Sequence, residues 1–159
     1  MKLSRFDHRL IFWVGVLLGV QYCLGGINWW FKIFPFPSLS DPVEAAGKHP
    51  VLVEMIKTGW MFYAAKVIEL LTGIALLTRR YVPLMLVASF PVALSTFMLD
   101  AMIVDDLVAW TSGQVSGAFM WSKLMDMIFF GGAVLAMQGY LMLSHMDSYR
   151  PFLKARESI

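Results

Sequence analysis

The sequence predicts an all-α integral membrane protein, a four-helix bundle whose spans form a single domain. Three observations predict it. Of 159 residues 58% are hydrophobic and 15% charged, and the mean hydropathy is +0.66, outside the range of ordinary soluble domains. Four apolar stretches are each long enough to cross ~30 Å of hydrocarbon, which takes about 20 helical residues. None shows the alternation that a membrane barrel strand needs, so each stretch satisfies its own backbone as a helix.

The first stretch runs from Leu10 to Phe31. Its basic start and apolar run are those of a signal peptide, but no small-residue cleavage site follows, so it is read as a retained span. Gly15 and Gly19 suit close helix packing, as do Gly132 and Ala136 further on. Cys23 lies among Gly19, Gly25 and Gly26, where a small residue at a helix contact is expected. As the single cysteine it excludes an intrachain disulfide, and with it a dithiol relay within the polypeptide. From Asn28 to Pro37 aromatics and prolines replace helical periodicity, which places this segment along the membrane interface. Residues 38–49 read as a loop, and Val51 to Lys57 as an amphipathic stretch lying beside the second span.

The second, third and fourth spans run from Gly59 to Thr78, Tyr81 to Val104 and Gly117 to Ser144. Pro83 and Pro91 interrupt the third, so a kink is expected near Pro91, with Ser89, Ser95 and Thr96 able to satisfy freed carbonyls. Such a bend can open a pocket.

Basic residues near span ends are retained on the cytoplasmic side. Lys2, Arg5 and Arg9 precede the first span, Arg79 and Arg80 separate the second and third, and Arg150, Lys154 and Arg156 follow the fourth. The other loops hold Lys32, Lys48 and Lys57 against Asp41, Glu44, Glu54, Asp105 and Asp106. Both termini are therefore expected in the cytoplasm. The net charge of +2 follows from this topology and needs no nucleic-acid partner.

Charges inside a hydrocarbon span are expensive and almost always face the bundle interior. Lys66 and Glu69 lie three apart in the second span, Lys123 and Asp126 three apart in the fourth, each pair on one helical face. Phe62, Lys66, Glu69 and Leu70 superpose without gaps on Phe119, Lys123, Asp126 and Met127, which reads as a two-helix unit repeated in tandem. Counted from Gly59 and Gly117, both lysines lie roughly 10 Å deep and both carboxylates roughly 14 Å, so the quartet is expected on one level.

The quartet has three readings. As structural ion pairs it would fix which helices meet and in what register. As a site, it would hold the polar head of a lipid-soluble ligand or pass protons to it. It could also line an ion path. Asn28, Trp29 and Asp100 are expected at the mouth of the same cavity. Trp29 and Trp30 suit stacking on a quinone ring, although an aromatic belt uses the same residues without a ligand. His8, His49 and His145 all fall outside the hydrocarbon and no pair has ligand spacing, so no metal site is expected.

At Gly26-Ile27-Asn28 with Phe34-Pro35-Phe36-Pro37, through the Lys-x-x-Glu-x-x-x-Gly core of Lys66, Glu69 and Gly73, and at Arg79-Arg80-Tyr81-Val82-Pro83-Leu84, the chain resembles the DoxX-like family of bacterial membrane proteins. The resemblance covers about residues 10 to 104. It implies a four-helix bundle in a bacterial cytoplasmic membrane. Through the related small subunit of thiosulfate:quinone oxidoreductase it also implies a place in quinone-linked redox complexes, with Lys66 and Glu69 at the family's motif positions.

The expected function is a membrane subunit of a quinone-linked oxidoreductase or electron-transfer assembly. It would bind a quinone-like amphiphile at the charged cluster without carrying a redox centre itself. Its partners would be lipid and either other membrane proteins or further copies of itself. An accessory scaffold without ligand chemistry, and a small carrier or proton path, are the alternatives.

Overall fold

The computed structural model describes residues 5–31, 33 and 48–154, and all regular structure among them is helical. In chain order the elements are α1 (Arg5–Phe31), α2 (Lys48–Lys57), α3 (Met61–Thr78), α4 (Val82–Asp100), α5 (Val104–Thr111) and α6 (Gly117–Met125). A π-helical segment (Asp126–Gly132), α7 (Ala133–Ser144) and α8 (Met146–Lys154) complete it. Four helical stretches are long and apolar enough to cross a membrane: Asp7–Phe31, Met61–Thr78, Val82–Asp100 and the continuous Gly117–Ser144. The protein is thus an all-α membrane bundle. The Phe34-Pro35-Phe36-Pro37 segment and its loop lie outside the described residues.

The spans pack in chain order around a square. α1 lies against α3, α3 against α4, α4 against the π segment and α7, and α7 closes back onto α1. The second and fourth spans therefore face each other across a diagonal. Glycine governs the tightest contact, between α1 and α3. A Cβ on Gly73 would stand 2.6 Å from Cys23 Sγ and 2.8 Å from the Gly19 carbonyl oxygen, and one on Gly26 would stand 3.0 Å from Leu70 Cβ. Small residues here let two backbones approach, which is how helices gain dispersion contacts in lipid.

One end of the bundle is set by the turn between α3 and α4. Arg79 and Tyr81 both adopt left-handed backbone angles, φ 57° and 58°, a conformation costing about 1–2 kcal/mol for a residue with a Cβ. The N–H groups of Arg79 and Arg80 both donate to the Ala75 carbonyl, closing the last turn of α3. The Arg79 guanidinium lies 4.2 Å above the Phe12 ring of α1, and Tyr149 of α8 donates to the Pro83 carbonyl at 3.0 Å. The start of α1, this turn and α8 thus share what is here termed the arginine end.

Two apolar layers fill the interior. Toward the arginine end Leu18, Tyr22, Leu76, Leu86, Ala93, Val134 and Leu141 form one buried cluster. At the opposite end Trp29 and Phe62 pack together with Met55, Ile56 and Leu99 around them, so α2 sits over the mouth of the bundle. α4 runs through Pro91, whose ring is exposed on its outer face.

Candidate functional site

Between those two layers lies the ion pair of α3. Lys66 Nζ stands 2.8 Å from Glu69 Oε2, with the two side chains 18% and 11% exposed. The spacing of three brings both groups onto one face of a single helix, so the pair bridges no two spans. Glu69 instead faces α1, where a Cβ on Gly25 would meet its Oε2 at 3.3 Å. The ammonium also lies 5.3 Å from the centroid of the Phe62 ring. That ring packs on Trp29 at 4.6 Å between centroids, and Trp29 meets Tyr63 edge-on at 5.4 Å. A cation therefore borders a cluster of mutually tilted aromatic rings.

The fourth span repeats part of this arrangement. Lys123 is buried, 5% exposed, and its Nζ lies 5.8 Å over the Phe119 ring, the same Phe-x-x-x-Lys geometry as Phe62 and Lys66. The side chain of Asp126 lies outside the described residues.

The expectation of one common level is corrected by the helix register. Leu99 packs on the Trp29–Phe62 pair, and its neighbour Asp100 stands against the fourth span, with Oδ2 2.8 Å from where Gly131 would carry a Cβ. Phe62, Asp100 and Gly131 thus mark one level. Lys66 lies one turn from it toward the arginine end, whereas Lys123, eight residues before Gly131, lies about two turns the other way. The cause is length. The fourth span is a continuous helix of 28 residues against 18 in α3, so counting inward from Gly117 underestimates how far its start projects.

Asp100 is itself buried, at the end of α4 next in sequence to Leu99, which packs against the Trp29–Phe62 cluster. Asn28 is half-buried one residue before Trp29. Gly131 is required there because any side chain would strike Asp100 and the Phe97 backbone, whose Cα is 3.2 Å away. The adjoining π-helical turns, a geometry often found at functional sites, were not foreseen from the sequence.

Sequence reasoning also passed over a second polar cluster, one to two turns from Glu69 toward the arginine end. Tyr22 of α1 donates to Gln138 Oε1 of α7. Gln138 Nε2 donates to the Leu86 carbonyl at 2.8 Å and to Ser89 Oγ at 2.9 Å, and Ser89 donates to the Met85 carbonyl at 2.8 Å. Gln138 and Ser89 have no exposed surface. A lone amide within a 28-residue apolar helix was the available signal, because a buried amide in hydrocarbon must find partners on other helices.

Among the described residues no group of three or more His, Cys, Asp or Glu side chains converges as a metal site. His8 is exposed, and His145 is half-buried with Nδ1 2.8 Å from the Leu141 carbonyl oxygen. Set against protein-family models, curated proteins and solved structures, the chain finds no match.

Proposed function

We propose that this chain is a small subunit of a quinone-linked oxidoreductase or electron-transfer assembly, and that it binds a quinone-like amphiphile beside Lys66 and Glu69. The observation that carries the reading is the Lys66–Glu69 pair, enclosed in an apolar bundle yet confined to one helix. An ion pair in hydrocarbon is costly, with about 2.5–3.5 kcal/mol for each charge on insertion scales. Ion pairs that set register do so by joining helices, whereas both charges of this one lie on α3.

A ligand supplies the missing purpose. The Lys66 ammonium has three donors and spends one on Glu69, leaving N–H groups for a ring carbonyl. Phe62 and Trp29 offer the apolar surface on which a flat ring packs. The chain contributes the binding place, while electrons pass between the quinone and partner subunits. The resemblance at Lys66, Glu69 and Gly73 favours the same residues. The resemblance favours a bacterial cytoplasmic membrane as the setting, and the distribution of basic residues favours the arginine end, and both termini, in the cytoplasm.

The test is extraction in a mild detergent, followed by mass spectrometry of bound lipids and of copurifying proteins. An isoprenoid quinone together with redox subunits is expected. A well-folded protein with neither would leave the accessory-scaffold reading in its place.

A further inference from the structure

We infer that the Lys66–Glu69 centre exchanges protons and polar solutes with only one side of the membrane, the side that carries α2 and α5, and that the bundle is sealed toward the arginine end. The inference concerns access to the site proposed above and holds whichever amphiphile occupies it.

Each span contributes one leucine to the seal. Leu18 of α1, Leu76 of α3, Leu86 of α4 and Leu141 of α7 belong to a single buried cluster, and all are 5% exposed or less. Water does not occupy so closely filled an apolar layer. A proton crossing it would need a chain of groups that both donate and accept, and the polar groups above the layer do not provide one. Gln138 spends both amide hydrogens on the Leu86 carbonyl and Ser89, Ser89 ends on the Met85 carbonyl, and Thr72 ends on the Ile68 carbonyl at 2.7 Å. Tyr22, which belongs to the same cluster, donates to Gln138 Oε1, so among the described residues every branch runs through Gln138, Ser89 or Thr72 to a backbone oxygen, which accepts hydrogen bonds and has no proton to pass on.

The other direction differs. Lys66 lies five residues from the start of α3 and twelve from its end, and its side chain, 18% exposed, lies against Phe62 of the layer at the α2 mouth, its ammonium 5.3 Å from that ring. The buried charged groups among the described residues, Glu69, Asp100, Asp106 and Lys123, all lie at Glu69 or beyond it toward that side. Between Glu69 and the Arg79 turn no buried carboxylate or amine is found among the described residues. The carrier or trans-membrane proton path is therefore the reading that the interior supports least.

Side-specific labelling tests this. In a Cys23→Ala background, Lys66→Cys is combined with Glu69→Gln so that no lone charge remains. Membrane-impermeant trimethylammonium-ethyl methanethiosulfonate is then applied to vesicles of each orientation, with Arg80→Cys marking the arginine side. Labelling from the α2 side, with loss of labelling from the arginine side, is expected. Labelling from the arginine side, or from neither, overturns the inference. Should that variant fail to fold, unmutated protein in liposomes gives a second test. A pH gradient is expected to persist across wild type and to collapse with Leu86→Ser plus Leu141→Ser, whereas a leak through wild type overturns the seal. Neither result depends on a bound quinone, so the labelling can fail while the ligand reading stands, and the reverse.

Discussion

Gly73 of α3 lies so close to Cys23 of α1 that a methyl group in place of its hydrogen would stand 2.6 Å from the cysteine sulfur and 2.8 Å from the cysteine nitrogen. Two of the three nearest atoms are backbone, so no side-chain rotation relieves the collision. Gly73→Ala is expected to force α1 and α3 apart, at about 1–3 kcal/mol for overpacking. Gly15→Ala is the control, since nothing lies within 4 Å of a Cβ there. Unfolding in mixed detergent with rising SDS measures both, with a clear loss for the first and little change for the second.

The ion pair makes an asymmetric prediction. Glu69→Leu alone leaves the Lys66 ammonium buried without its carboxylate, which typically destabilises by about 3–5 kcal/mol. Lys66→Met with Glu69→Leu removes both charges and is expected to restore folding to near the wild-type level. If the single and double variants unfold alike, the two side chains are not energetically coupled.

Gln138 ties three spans together through Tyr22, Ser89 and the Leu86 carbonyl. Gln138→Leu keeps the volume while removing the phenol's Gln138 acceptor and the Gln138 donor to the Leu86 carbonyl and Ser89, at about 1–3 kcal/mol for such unsatisfied groups. The same unfolding assay reads the loss. Adding Tyr22→Phe to Gln138→Leu is expected to recover part of it, because the hydroxyl that lost its Gln138 acceptor is then gone.

At the arginine end, burial holds the Tyr149 phenol above its ordinary value of 10.0. A group whose folded-state affinity for its proton is raised stabilises the fold fully below the unfolded value and ceases to do so as pH rises through the folded value. The Tyr149 contact with Pro83 should thus be unchanged at neutral pH and weaken only above about pH 10. Cleavage within α8 by subtilisin, which stays active in alkali, reports this, quickening in strong alkali for wild type, whereas Tyr149→Phe is expected to be cut faster at neutral pH already.

The fold was legible where the bilayer dictates it. Hydrocarbon thickness sets span length, and span ends read from composition fall within about five residues of the helices found, the error usual for frayed or extended termini. The stretch at Val51 to Lys57 is the core of α2. Two short helices, α5 and α8, escaped notice because each has too few residues for periodicity to stand out from its loop. The site was legible in part. Charge spacing alone predicts that Lys66 and Glu69 meet, since three residues on one helix fix the geometry. The level of Lys123 was not readable, because depth depends on how far a 28-residue helix projects beyond its neighbours. That offset is set by tertiary contacts such as Asp100 on Gly131. The Gln138 cluster is equally non-local, joining residues 116 apart in the case of Tyr22.

The central claim is that Lys66 and Glu69 hold the head of a quinone-like amphiphile, and quinone retention measures it most directly. Wild type and the Lys66→Met, Glu69→Leu double variant are purified side by side in native membrane discs, and isoprenoid quinone per polypeptide is quantified by mass spectrometry. Retention by wild type and its loss in an equally folded double variant is the predicted result. Equal quinone content in the two proteins would contradict the account.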